Sequence, residues 1–272
     1  MSHATSEAHD APGAFGAAYD RRAKAYATAV EPTFAPARRR IVELAEIVPD
    51  VQLVDVATGT GGVARAAAAR GAHVTGIDVS SGMLEIARQR SPAGIVYLLA
   101  EAGELPFPDG SVEIVTCGFG LSHMPHADNV LAEMRRVLRP RGRLIASCWG
   151  PQGFNPSRDA VQAILARYLP QWRDPQAPIT TREVWADAQR GLRILRHAGF
   201  GRVEVATERL RGEFAGPEQA LARALAGTVA GAMADAVQDD ELARFRAESL
   251  AVIEATADLT WWDLVNYYRA WT

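Results

Sequence analysis

The sequence predicts an α/β protein built on a doubly wound, parallel sheet, and three observations predict it. Apolar runs of strand length at 51–57, 73–78, 94–99, 112–118 and 143–149 alternate with helical stretches at 62–70, 81–90 and 127–138, the rhythm of a sheet with crossover helices. The first run, Val51 to Val56, is β-branched and aliphatic apart from Gln52 and Asp55, the composition of a strand covered on both faces. It feeds a glycine turn, Gly59, Thr60, Gly61 and Gly62, and then the alanine-rich stretch Val63 to Arg70, a helix with little side-chain entropy to lose. Right-handed crossovers place the loops after the strands on one edge, and ligands bind there, beside the first strand.

Taken in order, residues 1–13 are small, polar and aperiodic and read as a flexible tail. Residues 14–50 read as two helices broken near Pro32 and Pro36, the first carrying Tyr19 and Tyr26, the second running from Arg38 to Val48. Residues 51–150 hold the five alternating strands. In 151–213 a helix is expected at 157–168, a proline-containing linker with Pro170, Pro175 and Pro178, and a longer helix from Thr181 to His197. That helix has Thr180 or Thr181 as cap and stops at Gly199. A sixth strand follows at 202–210. Residues 214–257 are alanine-rich and read as two helices broken around Gln238 to Asp240, and 258–272 end in a seventh strand at 261–271.

Length and composition set limits. At 272 residues and 48% hydrophobic content, one large core with an appended lid is within reach. A net charge of −3 offers no basic footprint for nucleic acid, and no apolar run is long enough to span a membrane. The N-terminus lacks the pattern of a signal peptide, so a cytoplasmic setting is expected. Cys117 and Cys148 read as reduced, buried thiols without metal-ligand spacing. The sequence leaves the oligomeric state undefined.

The glycine turn exposes backbone N–H groups, and Gly59 and Gly61 let the main chain approach a ligand closely. About twenty residues after Gly59, a second strand ends at Asp78, a carboxylate suited to two ribose hydroxyls. These features predict a nucleoside-cofactor site. Gly59 to Ala64 also fits the dinucleotide fingerprint, a weak pattern by itself. Asp55, in the strand beneath the turn, disfavours a pyrophosphate there and suits a cationic, phosphate-free ligand such as S-adenosylmethionine. Asp55 has two readings, a brace for the turn or a direct ligand contact, and both favour the methyl donor over NAD.

Four segments in order carry a family resemblance: Val54 to Gly61 (Val, Asp, Val, Ala, Thr, Gly, Thr, Gly), Gly76 to Arg88, Ala100 to Ser111 and Glu133 to Leu144. They resemble class I S-adenosylmethionine-dependent methyltransferases, in the branch of ubiquinone and menaquinone C-methyltransferases and many small-molecule methyltransferases. The resemblance runs from about the N-terminal helix to Trp149, with a weaker echo at the C-terminus. It implies a seven-stranded Rossmann-like sheet, mostly parallel, with an antiparallel C-terminal strand and 214–257 as a helical lid. It implies that an N-terminal helix covers the cofactor, with Tyr19 reaching the methionine carboxylate or packing. It further assigns Gly59, Gly61, Asp78 and the backbone at Val79 to adenosine, with Met83 over the adenine or in the core. Glu101 and Ala102 fall at the adenine amino group, where glutamate is longer than the usual aspartate. Thr58, Cys117 and Gly118 fall on the floor near the methionine end.

Methyl transfer needs in-line proximity and, for an oxygen nucleophile or a phenol, a base. The segment Gly118 to His126 follows the fourth strand and holds His123 and His126, whose imidazoles titrate in the useful range; each has the alternative of capping or packing the loop. No cluster of oxygen ligands suggests a metal. Trp149, Phe154, Trp172, Trp185 and Phe214 are expected to line an apolar acceptor pocket suited to a small phenolic, polyketide or isoprenoid-like molecule. Three functions compete: methyl transfer to O or C, a methyltransferase-fold protein running a non-methylating reaction such as cyclisation, and NAD-dependent oxidoreduction.

Overall fold

The computed structural model describes residues 14–124, 127–151, 153–171, 182–226, 231, 234, 236–256 and 258–272. Seven strands form one sheet: β1 Gln52–Val56, β2 His73–Asp78, β3 Val96–Leu99, β4 Val112–Gly118, β5 Leu138–Trp149, β6 Arg202–Glu213 and β7 Thr260–Trp271. Their order is β3-β2-β1-β4-β5-β7-β6. β1 to β5 run parallel, and β7 lies antiparallel between β5 and β6. The chain reverses its direction of building at β1, so the edge beyond β1 and β4 is the switch point where such sheets hold ligands.

All seven expected strands are present. β5 starts earlier than expected because Leu138 pairs with Val112 before a register shift, and Arg141 adopts φ 67 at the bend. The crossover helices α3 Gly62–Ala68, α4 Ser81–Arg90 and α5 Ala127–Val137 lie where alternation predicts. α4 is capped by Ser80, whose hydroxyl accepts the Met83 N–H at 3.1 Å, a standard N-cap bond. α6 spans Pro156–Tyr168, with Asn155 as its cap.

The helix expected over 181–197 is instead two, α7 Arg182–Ala186 and α8 Ala188–His197. Asp187 leaves helical conformation between them and accepts the N–H groups of Gln189 and Arg190 at 2.9 and 3.0 Å. Aspartate competes with the backbone for donors, and here it starts a new helix. The N-terminal region also differs. α1 Ala14–Ala25 runs into a π-helical turn, Tyr26–Val30, then a 3₁₀ turn, Glu31–Phe34, and only then α2 Ala35–Leu44. Pro32 and Pro36 are the second residues of the last two pieces, within the first turn where a missing N–H is tolerated.

Two apolar layers cover the sheet. On one face Ile41, Ala64, Ala67, Leu84, Ile164, Leu165, Leu221 and Phe245 bring α2, α3, α4 and α6 together with α9 Pro217–Leu225 and α10 Asp239–Thr256. On the other, Leu131, Met134, Leu192 and Leu195 pack on Val115, Ala146 and Tyr268. The region 214–257 therefore shares the sheet's core through α9 and α10. The tail 1–13, Trp172, Pro175, Pro178 and the cap at Thr180 or Thr181 lie outside the described residues. Among the described residues no helix is long and apolar enough to cross a membrane.

Candidate active site

The site is built at the exits of β1, β2 and β4. β1 leaves the sheet through Ala57 at φ 54, then Thr58, then Gly59 at φ 55, and Gly61 at φ 80 opens α3. Left-handed backbone is what glycine tolerates best, so the two glycines are dictated by the turn. Beneath it, Asp55 is 1% exposed. One carboxylate oxygen accepts the Thr58 hydroxyl and the other the Thr116 hydroxyl, both at 2.7 Å. Of the two readings of Asp55, the structure shows the brace. Burial pushes its carboxyl up to about 6 against the pull of these hydroxyls and of the Ala64 N–H, a desolvation effect.

Asp78 closes the other side. Its Oδ2 accepts the Gly59 N–H at 2.8 Å and its Oδ1 the Ser80 N–H at 3.0 Å. Burial raises its carboxyl, opposed by those same amides. A Cβ built on Gly59 would meet nothing within 4 Å, so open space lies over the turn directly beside this carboxylate. The residues present fit a nucleoside whose ribose meets Asp78 and whose chain passes over Gly59. Val79, 36% exposed, adjoins this opening. The loop after β3 reaches the same edge, because the Ala100 N–H donates to the Asp78 carbonyl at 3.1 Å; Glu101 is exposed there and Ala102 half-buried.

Other expected contacts resolve differently. Met83, on the buried face of α4, is core. Cys117 is fully enclosed, so it supports the floor from behind without lining it; burial pushes its thiol up to about 12, leaving it neutral. Gly118 is half-buried, with Ile41 and Val63 facing it. Thr58 is buried and its hydroxyl is committed to Asp55.

From the N-terminal side, α1 is fastened to the start of α4. Asp20 Oδ1 accepts the Ser80 hydroxyl at 2.6 Å and the Gly82 N–H at 2.7 Å, which holds its carboxyl below the usual range. This docks Tyr19 near Asp78, whose charge adds to burial in raising the phenol. Tyr19 also meets His123 edge to face at 6.2 Å between ring centroids. His123 ends a 3₁₀ turn, Leu121–His123, directly after β4. His126 lies outside the described residues.

The aromatic wall is only partly the expected one. Trp149 packs against Phe119 at 4.5 Å and Phe34 at 5.6 Å, and Phe34 stacks on Phe119 at 4.8 Å. Phe119 and Phe34 were not among the expected residues. Phe119 was legible as the first side chain after β4 and Gly118; Phe34 had no signal beyond its place between two prolines. Trp185 does not line a pocket: it is fully buried against Tyr268 on the other face of the sheet. Phe214 is buried against Trp261. Phe154 is 43% exposed at the outer end of β7, bridged to Trp262. Trp172 lies outside the described residues, and no group of three metal-binding side chains occurs among the described residues.

Residues 54–146 match the methyltransferase domain family. Over that segment the chain is similar to class I S-adenosylmethionine-dependent methyltransferases. Over that part the chain is similar to the quinone C-methyltransferases. It is 37% identical over 133 residues to demethylmenaquinone methyltransferase of Renibacterium salmoninarum, covering 49% of this chain and 56% of that protein. It is 38% identical over 117 residues to ubiquinone/menaquinone biosynthesis C-methyltransferase UbiE of Paraburkholderia phymatum, covering 39% and 48%. The chain thus spans about half the length of these curated relatives. Two solved structures share the fold across nearly all of this chain. Phosphoethanolamine N-methyltransferase 2 of Haemonchus contortus, in complex with S-adenosyl-L-methionine, has TM-score 0.55 and 20% identity, covering 93% of this chain and 57% of that one. The [4+2]-cyclase SpnF has TM-score 0.55 and 18% identity, covering 95% of each chain.

Proposed function

We propose that the protein binds S-adenosylmethionine over the β1–α3 turn and transfers its methyl group to oxygen or carbon of a small hydrophobic acceptor. The observation that carries this reading is the open space above Gly59 beside the amide-held carboxylate of Asp78. When bound, the donor supplies a methyl group already activated by the sulfonium. Asp78 would take the ribose, the backbone at Gly59, Gly61 and Val79 the adenosine, and the loop at Glu101 and Ala102 the adenine edge. Asp55 works from below by keeping Thr58 and the turn in place, so that the donor finds its groove formed in advance.

For the acceptor, the rings of Phe34, Phe119 and Trp149 form one apolar cluster at the ends of β4 and β5, and an apolar, aromatic acceptor suits such surroundings. The names of the relatives, demethylmenaquinone methyltransferase among them, point the same way, toward a quinol or phenol methylated on the ring or its hydroxyl. His123 is the candidate to take the phenolic proton, raising the electron density of the ring or its oxygen. The test is incubation with methyl-tritiated S-adenosylmethionine and a panel of quinols and phenols, followed by product mass. A gain of one methylene unit supports transfer. An unchanged mass with a rearranged product would support the non-methylating alternative, and no product despite tight donor binding would count against transfer. His123→Gln should lower kcat and flatten its acidic limb; an unchanged pH profile would remove His123 from the chemistry.

A further inference from the structure

Glu31 is a buried carboxylate with partners on four separate segments. It is 9% exposed and opens the 3₁₀ turn Glu31–Phe34. Its Oε2 accepts the Thr60 hydroxyl at 2.9 Å and Arg90 Nη1 at 2.8 Å. Its Oε1 is bonded to Arg65 Nη2, with Arg38 Nη1 at 3.8 Å. Thr60 belongs to the glycine turn, and its carbonyl accepts Arg65 Nη1 at 2.6 Å. One carboxylate therefore ties the N-terminal cap to the turn, to α3, to α4 and to α2.

The other end of the same short turn does something different. Three residues on, Phe34 stacks on Phe119 and meets Trp149 edge-on. Between the two ends, Pro32 fixes one backbone angle, and the Thr33 hydroxyl donates to the Val30 carbonyl at 2.6 Å while accepting Arg223 Nε at 3.1 Å. A stiff piece of four residues thus spans from the donor turn to the aromatic wall. We propose that Glu31 is a positioning residue: through Thr60 and Arg65 it holds the glycine turn in its donor-binding form, and through the Glu31–Phe34 turn it makes donor binding set the position of the aromatic wall. This rests on the donor site proposed above.

The physical basis is the cost of breaking a buried ionic cluster. Removing the Glu31 carboxylate leaves Arg65 and Arg90 only the backbone carbonyls of Thr60 and Ala27 as acceptors and takes away the acceptor of the buried Thr60 hydroxyl, so movement at one end is not absorbed locally. Coupling of this kind is reciprocal: what the donor does to the wall, the wall does to donor affinity.

The experiment uses the full chain and S-adenosylhomocysteine as probe, read by hydrogen exchange and by calorimetry. In the wild type the probe should slow exchange in a peptide covering 56–66 and also in one covering 26–36. Glu31→Gln should weaken probe binding about tenfold, the scale of one charge-assisted hydrogen bond, and abolish the protection of 26–36 while saturating probe still protects 56–66. Thr60→Val, which removes only the hydroxyl that Glu31 accepts, should weaken binding in the same direction, and Thr60→Ser should restore it. Glu43→Gln, an exposed charge change on α2, should leave binding as in the wild type. Protection of 56–66 with unchanged exchange at 26–36, or wild-type affinity in both Glu31→Gln and Thr60→Val, would overturn the inference. Absence of probe binding by the wild type would overturn the donor site itself, and this inference with it.

Discussion

Tyr19 and His123 meet edge to face, their ring centroids 6.2 Å apart and their planes at 75°. The helix that precedes the sheet is thereby packed onto the loop that follows β4, over the edge where Asp78 and Gly59 meet. Aromatic pairs in this arrangement stabilise by about 0.5–1.5 kcal/mol beyond the area they bury. A double-mutant cycle with Tyr19→Ala, His123→Ala and the pair, read by urea unfolding, should return a coupling energy in that range. A coupling near zero would mean that α1 and the β4 loop only lie close together.

Gly59 and Gly61 are expected to fail in different ways when changed to alanine. Both have positive φ, but a Cβ on Gly61 would collide with the Tyr97 hydroxyl and lie 3.0 Å from Arg65, whereas one on Gly59 would meet nothing within 4 Å. Gly61→Ala must displace the Tyr97 hydroxyl from Ser91, its partner at 2.8 Å, and should lower stability by about 2–3 kcal/mol. Gly59→Ala should lower it by only about 1–2 kcal/mol, the cost of the left-handed backbone. Its methyl group would instead intrude on the ligand, so S-adenosylhomocysteine affinity should fall by at least about tenfold. Equal losses of stability and affinity in the two variants would contradict this division.

Asp55 gives stability an unusual pH dependence. Its folded carboxyl is raised from 3.8 to about 6, so between those values the folded protein holds a proton that the unfolded chain has released. The stabilising contribution is therefore fully present below about pH 4 and is lost as pH rises through about 6. Asp55→Asn removes this titration. Wild-type stability relative to Asp55→Asn should thus fall by up to about 3 kcal/mol between pH 4 and pH 7 and level off above. Chemical unfolding of both proteins across that range checks the sign, and a gap that widens in favour of the wild type would refute it.

The sheet was legible because its signals are local. β1, β2 and β4 are rich in β-branched and aliphatic residues, α3 is opened by glycine and α4 by a capping serine, and Asp55, Gly59 and Asp78 lie within one strand–turn–helix–strand unit. What was not legible depends on distant partners. Nothing around Glu31 announces that Thr60, Arg65 and Arg90 will close on it. Trp185 and Phe214 looked like pocket residues because large aromatics serve cores and pockets equally well, and only the face of the sheet on which each lands decides. Asp187 shows the same limit in miniature, since a helix-interior aspartate and an N-cap aspartate read alike until the backbone turns.

Phe119 carries a last consequence, because a bulky residue holds left-handed backbone at φ 62. Its N–H donates to both the carbonyl and the hydroxyl oxygen of Ser147, at 2.9 and 3.1 Å, and its ring is wedged between Phe34 and Trp149. Those contacts outweigh a backbone cost of about 1–2 kcal/mol. Phe119→Ala loses the ring and keeps the strain, so it should destabilise by about 3–5 kcal/mol. Phe119→Gly loses the same ring but relieves the strain, and should be the more stable of the two by about 1 kcal/mol. That order reverses the usual one, in which glycine is the more damaging replacement. Urea unfolding of both variants decides it: if the alanine variant is the more stable, Phe119 is held by packing alone and the backbone at the end of β4 is relaxed.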